Sequence, residues 1–233
     1  MELDLFPLHR STIGISFSAA AVQLVGLQRH WRGRPSAVRV ETRPLPAGLL
    51  VPSAGKLNIA DVDALAGEVR ALLGQQRRHA VAVSLSDAVA SMGLFAFETL
   101  PARDAEREAI VRWRFQQDLK VQLGNVRLVF RAYPGQPATQ VLAAAIRRDI
   151  LAQYEAVCAA AGLLPVSVGF ATLQLFDCCR PLMTGTKDYC FVHRSAEGMT
   201  FVGVREGRPV FLRSKLVKRN DASLLEEVIG TVQ

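Results

Sequence analysis

Ser16, Ser18, His193 and Ser195 stand in two turns of one design, one turn near each end of the chain. Residues 12–27 and 189–208 each run as an apolar segment, a turn of small residues and a second apolar segment. Such a turn aims successive backbone N–H groups at one point and can cradle a phosphate. A Mg-nucleotide site needs two more things: a carboxylate to hold the metal and its waters, and glycines that let the backbone come close. Ser16 can hydrogen-bond but carries no charge. Ser18 and Ser195 bear Cβ atoms where close approach is wanted. The turns therefore read as plain hairpins, with weak or accessory nucleotide binding as the alternative.

Other chemistry finds little footing. Gly55-Lys56 is followed by Leu57 rather than Ser or Thr, and Gly48 lies too far upstream for a phosphate loop. No G-x-G-x-x-G, H-E-x-x-H or G-x-S-x-G is present. His9, His30, His79 and His193 are scattered without ligand spacing. The four cysteines, Cys158, Cys178, Cys179 and Cys190, form no C-x-x-C pair and read as small buried hydrophobes in a reducing compartment. No metal site is expected.

The elements that position the two turns follow from pattern. Residues 12–17, 22–29 and 37–42 read as strands, followed by a Pro- and Gly-rich loop over 44–55. Val62, Leu65, Val69 and Leu72 recur at helical spacing, with Gly74 as a stop. Strands at 79–85 and 91–97 complete a first lobe of βββαβ order. A charged helix from 105 to about 121 follows, then a strand pair at 126–133 and 140–146 and a helix over 147–161, an αββα insert. Gly162 and Pro165 end that helix. A strand at 165–169 and a helix from 171 return to the first lobe. Strands at 189–194, 199–205 and 209–214 begin the pattern again, and Asp221 caps a last helix over 221–229.

On the inserted helix Val111, Phe115 and Leu119 fall at i, i+4 and i+8 and face a core. Ile110 and Trp113 fall on another flank, where Trp113 is either cover for a neighbouring lobe or an anchor for a partner.

Half of the 233 residues are hydrophobic and 21% are charged, the balance of a globular chain. The net charge of +7 comes mostly from arginine and reads as a solvated basic surface. Aromatics are not interleaved with the basic runs, so a nucleic-acid platform is not expected. Residues 1–10 hold no signal-peptide core, and no segment approaches the ~20 apolar residues of a membrane span. A cytoplasmic chain is expected.

Several stretches carry a family resemblance. Ser84-Leu-Ser-Asp87, then Glu98-Thr-Leu-Pro101 and Glu106-Arg-Glu-Ala-Ile-Val-Arg-Trp113, look like a strand, Leu-Pro turn and helix of the PilM family. Val141-Leu-Ala-Ala-Ala-Ile-Arg-Arg148 with Ala160-Ala-Gly-Leu163 looks like its next strand and helix. Arg205-Glu-Gly-Arg-Pro-Val-Phe-Leu-Arg213 looks like its late hairpin. In order and spacing the chain resembles these actin-like cytoplasmic proteins of type IV pilus assembly. They are related in fold to the cytoplasmic part of the type II secretion protein GspL and to the division protein FtsA.

The resemblance implies an α/β actin-like ATPase fold of duplicated ribonuclease-H-like lobes with a small αββα insert. The first lobe would span 1–99, the insert 100–162, the return to the first lobe 163–187 and a truncated second lobe 188–233. Relatives usually read Gly, apolar, Asp, apolar, Gly, Ser in the first turn. Gly14 matches, while Ser16, Ser18 and Ala19 depart, and Gln23 stands near the usual Lys. In the second turn His193 and Ser195 replace Asp and Gly. ATP and Mg²⁺ are the implied cofactors, and these departures disfavour them. The expected function is a non-enzymatic scaffold for pilus or type II secretion-like assembly, with a weak actin-like ATPase as the alternative.

The implied partner is the cytoplasmic tail of a PilN-like inner-membrane protein, of apolar-Asn-apolar-Leu-Pro character. It would lie between the first lobe and the insert, bordered by Leu100, Ile110 and Trp113. The assembly motor ATPase and further copies of the chain are other implied partners, and no nucleic acid is. The chain would sit at the inner membrane through these partners.

Overall fold

The computed structural model describes residues 12–28, 36–74, 79–119, 124–183 and 185–216. The helix expected over 221–229 lies outside them.

Strands β1 (Ile13–Phe17), β2 (Ala21–Gln28) and β3 (Ser36–Pro44) form an antiparallel meander. Helix α1 (Val62–Leu73) follows, started by the Asp61 side chain, which accepts from Ala64 N–H at 2.9 Å. Gly74, at φ 64°, ends it, a conformation that costs glycine nothing. Strand β4 (His79–Leu85) then lies parallel to β1, and β8 (Leu163–Phe170) parallel to β4, giving the order β3-β2-β1-β4-β8. Ile15, Phe17, Val22, Leu24, Val81, Val83 and Leu85 alternate onto one buried face.

Strand β5 (Ser91–Phe97), helix α2 (Asp104–Leu119), β6 (Val126–Tyr133) and β7 (Thr139–Arg147) make a second unit, a three-stranded sheet of order β5-β7-β6 carrying α2. Two elements sit differently from the sequence expectation. Ser91–Phe97, read as a strand of the first lobe, pairs with β7, because β8 already holds the free edge of β4. Helix α3 (Arg148–Ala160), read as part of the insert, packs against α1 and β8 and lends Ile150, Tyr154 and Val157 to the first sheet's core.

Strand β7 explains this sharing. Val141, Ala143 and Ala145 face a core with Phe95, Val111 and Phe115. Leu142, Ala144 and Ile146 face the larger core of the first sheet. A strand buried on both sides reads as an unbroken apolar run.

Helix α4 (Ala171–Cys179) leads to a second antiparallel meander of β9 (Tyr189–Arg194), β10 (Gly198–Arg205) and β11 (Arg208–Leu216). Phe176 of α4 joins Val202 and Val204 in a small core between them. The four cysteines are free thiols, but only Cys158 is buried, its thiol pushed up to about 12 by burial. Cys178 and Cys190 are exposed, against the expectation of four buried side chains. That strand and helix faces alternate with solvent at these positions is the reason.

Candidate functional site

The second meander meets the first sheet at a largely buried carboxylate, 13% exposed. Asp87 follows β4 at the start of a short helical turn whose cap is Ser86. Opposite it, the strand register sets His193, Thr200 and Ser214 in one row across β9, β10 and β11. Cross-strand partners share a face, so all three point the same way.

The row closes on Asp87. Thr172 N–H donates to Asp87 Oδ1 at 3.0 Å, and the Thr172 hydroxyl donates to Oδ2. Thr200 Oγ1 donates to Oδ2 at 2.8 Å. Each threonine has a single hydroxyl proton, now committed. His193 Nδ1, 2.7 Å from Thr172 Oγ1, must therefore be the protonated nitrogen of that contact. By the same count Ser214 Oγ donates to Thr200 Oγ1 across 2.9 Å. Burial pushes the Asp87 carboxyl up, yet neighbouring His193 and the bonds from Thr172 and Thr200 outweigh it and hold the carboxyl below its ordinary value.

The two hairpin turns meet beside this network. Ser18 N–H and Oγ both donate to Ala21 O, at 3.0 and 2.9 Å. Ala19 N–H donates to Glu197 Oε1 at 2.6 Å, which ties the first turn to the second. Ser195 braces its own turn by accepting from Glu197 N–H and Gly198 N–H, each at 3.2 Å. Gly198 is required there, since a Cβ would come 2.5 Å from Lys215 O.

A cleft of about 520 Å³ opens where the units join. Pro52 and Gly55 of the loop before α1, Asp87 and Ala90, Met92 of β5, Leu119 of α2, and Ser195, Glu197, Thr200 and Leu216 of the second meander line it. Ser16 is not among them. It lines a separate cavity of about 420 Å³ beneath α4, with Gly14, Gln23, Ser84 and Gln174. His193, Ser195 and the Ser18 turn thus come together, while Ser16 stands apart. Among the described residues no group of three or more His, Cys, Asp or Glu side chains is placed to hold a metal ion.

The residues expected at a partner groove divide as well. Leu100 and Ile110 are half-buried against the core under α2. Trp113 is 57% exposed, so the described residues leave most of it uncovered. None of the three lines the cleft, which α2 reaches only through Leu119. Sequence reading missed Asp87, Thr172, Thr200, Ser214 and Glu197. The one signal for Asp87 was an acidic residue closing a buried strand.

No protein-family model matches the chain. No curated protein matches it in sequence. Solved structures do. A chain of the PilM-PilN type IV pilus biogenesis complex superposes with a TM-score of 0.72 at 24% identity, over 91% of this chain and 63% of that one. This chain therefore spans less than two thirds of that relative. A protein from Bacteroides thetaiotaomicron with an actin-like ATPase fold gives 0.54 at 8% identity, over 96% of this chain and 77% of that one. Cyto-EpsL, the cytoplasmic domain of EpsL, an inner membrane component of the type II secretion system of Vibrio cholerae, gives 0.52 at 10%. That match covers 91% of this chain and 73% of cyto-EpsL. The chain has the actin-like fold, and its structure is similar to PilM.

Proposed function

We propose that the chain is a non-enzymatic actin-like scaffold of type IV pilus or type II secretion-like assembly. On this reading it binds the cytoplasmic tail of a PilN-like inner-membrane protein. The likeness to a chain of the PilM-PilN complex carries the reading, and the cleft bordered by three units supplies a seat. A role at the membrane's cytoplasmic face would come through that partner. No helix among the described residues is long and apolar enough to cross a membrane. Contacts to the assembly motor and to further copies of the chain belong to the same proposal.

An extended tail fits the cleft chemically. Its apolar side chains would pack on Met92, Leu119 and Leu216, and hydroxyls such as Ser91 and Ser214 would meet its backbone. From Leu119 it would have to wrap round α2 to reach Trp113, which lies about 9 Å further along the axis and about 120° round the helix. The division into a first lobe, an insert and the start of a second lobe is part of this reading, with the cleft as their meeting place.

The cleft does not suit Mg-nucleotide. Asp87 already accepts three hydrogen bonds, and Glu197 takes the Ala19 N–H. Ser16 brings no charge.

Titration of a fluorescent tail peptide against the full chain tests the proposal. Leu119→Arg should abolish binding. Trp113→Ala should weaken it by about 2 kcal/mol, roughly thirtyfold, as loss of an aromatic anchor does. A wild-type chain that binds no such peptide, or binding indifferent to both changes, would sink the reading.

A further inference from the structure

Strand β3 ends the first sheet, and among the described residues no strand lies beyond it. Its ladder with β2 is regular from Arg39 to Pro44, with an irregularity only between Gly26 and Leu27. Leu45 N–H, just past the strand, donates across to Ala20 O at 2.9 Å. Backbone groups alternate sides along an antiparallel strand. Those of Glu41 and Arg43 therefore face β2, and those of Val40 and Thr42 face outward. Pro44, which has no N–H, also falls on the outer side, where an edge strand tolerates it. Over Val40 the edge is not blunted by charge. Val40 is 68% exposed on the face away from α1, while Arg39 and Arg43 turn to the α1 side and meet Leu72 O and Glu68.

We propose that β3 is a self-association surface: two copies of the chain pair their β3 strands antiparallel about a two-fold axis at Val40. The pairing joins two five-stranded sheets into one. Charge fixes the register. Centred on Val40, it sets Arg39 of each copy opposite Glu41 of the other. Arg39 Nε and Glu41 Oε1 already pair at 2.7 Å within one chain, so four alternating charges would ring the axis. The outward backbone groups of the two Val40 residues then bond each other, Thr42 meets Val38, and the two Val40 side chains leave water together. Neighbouring registers fit worse. Centring on Glu41 sets Glu41 against Glu41 and Arg39 against Arg43. Centring on Thr42 sets Pro44, with no N–H to give, against Val40. The surface gives contacts between further copies a place. It does not rest on tail binding, so the two readings fail separately.

Sedimentation velocity of the full chain tests the pairing. The wild type should pass from monomer to dimer as its concentration rises. Val40→Pro should leave it monomeric, since it removes the N–H at the axis and none that serves β2. Arg39→Glu and Glu41→Arg should each associate about tenfold more weakly, because two like-charge pairs replace two favourable ones. Mixed in equal amounts, these two variants should recover a dimer, each Glu of one chain meeting an Arg of the other. That recovery belongs to this register and does not depend on how the proline variant folds. A wild type that stays monomeric, or a dimer indifferent to Val40→Pro and to both charge changes, would overturn the proposal. So would charge variants that weaken the dimer singly and do not recover on mixing.

Discussion

Asp87 shows what one largely buried side chain does when every oxygen has a donor. Its carboxyl lies below its ordinary value, so the folded chain takes up a proton at that site less readily than the unfolded chain. The stabilisation is complete above the ordinary carboxylate range and is lost as pH falls through the depressed folded value. Asp87→Ala should cost about 2–3 kcal/mol at neutral pH, since Thr172 and Thr200 would keep buried donors with no acceptor. In urea melts, the gap between wild type and this variant should close as pH is lowered below the carboxylate range. A gap that widens in acid would contradict the sign. Thr172→Val should act in the same direction by a smaller amount, because Thr172 N–H still reaches Asp87.

At the scale of elements, helix α2 separates two kinds of aromatic residue. Phe115 is fully buried against Phe95, their ring centroids 5.7 Å apart, and Trp113 is exposed. Phe115→Ala should destabilise by about 3–5 kcal/mol in thermal or chemical melts. Trp113→Ala should stay within about 0.5 kcal/mol. If the tryptophan change lowers stability as much as the phenylalanine change, the helix is packed differently. Gly198→Ala belongs to the same scale. Its Cβ meets backbone rather than a movable side chain, so β10 and β11 must part at that end, at a cost of about 1–3 kcal/mol.

Much of this level was legible in the sequence. Asp61 and Gly74 bracket α1 through local chemistry that needs no tertiary knowledge. The i, i+4, i+8 set of α2 faces inward because helical period alone decides it, as buried Val111 and Phe115 show. Partnership was not legible. Nothing in Ser91–Phe97 says that β7 rather than β4 is its neighbour, and nothing in α3 says which core it serves. The site was harder still. Ser18, His193 and Ser195 stand out by their place in a repeated pattern, whereas Glu197 acts through a contact spanning most of the chain. The row of His193, Thr200 and Ser214 exists only once the strand register is fixed.

For the whole molecule, Glu197 joins the turns of the two meanders, and Asp87, just beyond β4, ties the first sheet's end to α4 and β10. Glu197 takes the Ala19 N–H and Asp87 accepts three hydrogen bonds, so both carboxylates are already engaged within the chain. Calorimetry with Mg-ATP should therefore give no saturable heat, and phosphate release should not exceed background. Micromolar affinity, or turnover lost on Ser16→Ala, would favour the weak ATPase instead.

Strand β7 has a consequence for motion. Its two faces serve two cores, so neither core can open while the other stays closed around it. The inserted unit is thereby denied a life of its own as a hinged flap. Amide protons of β7 should exchange with solvent only when the entire chain unfolds, and they should set the slowest exchange class in the protein. Messages between a guest in the cleft and the far side of the molecule would then travel as small rigid-body shifts of one cooperative block.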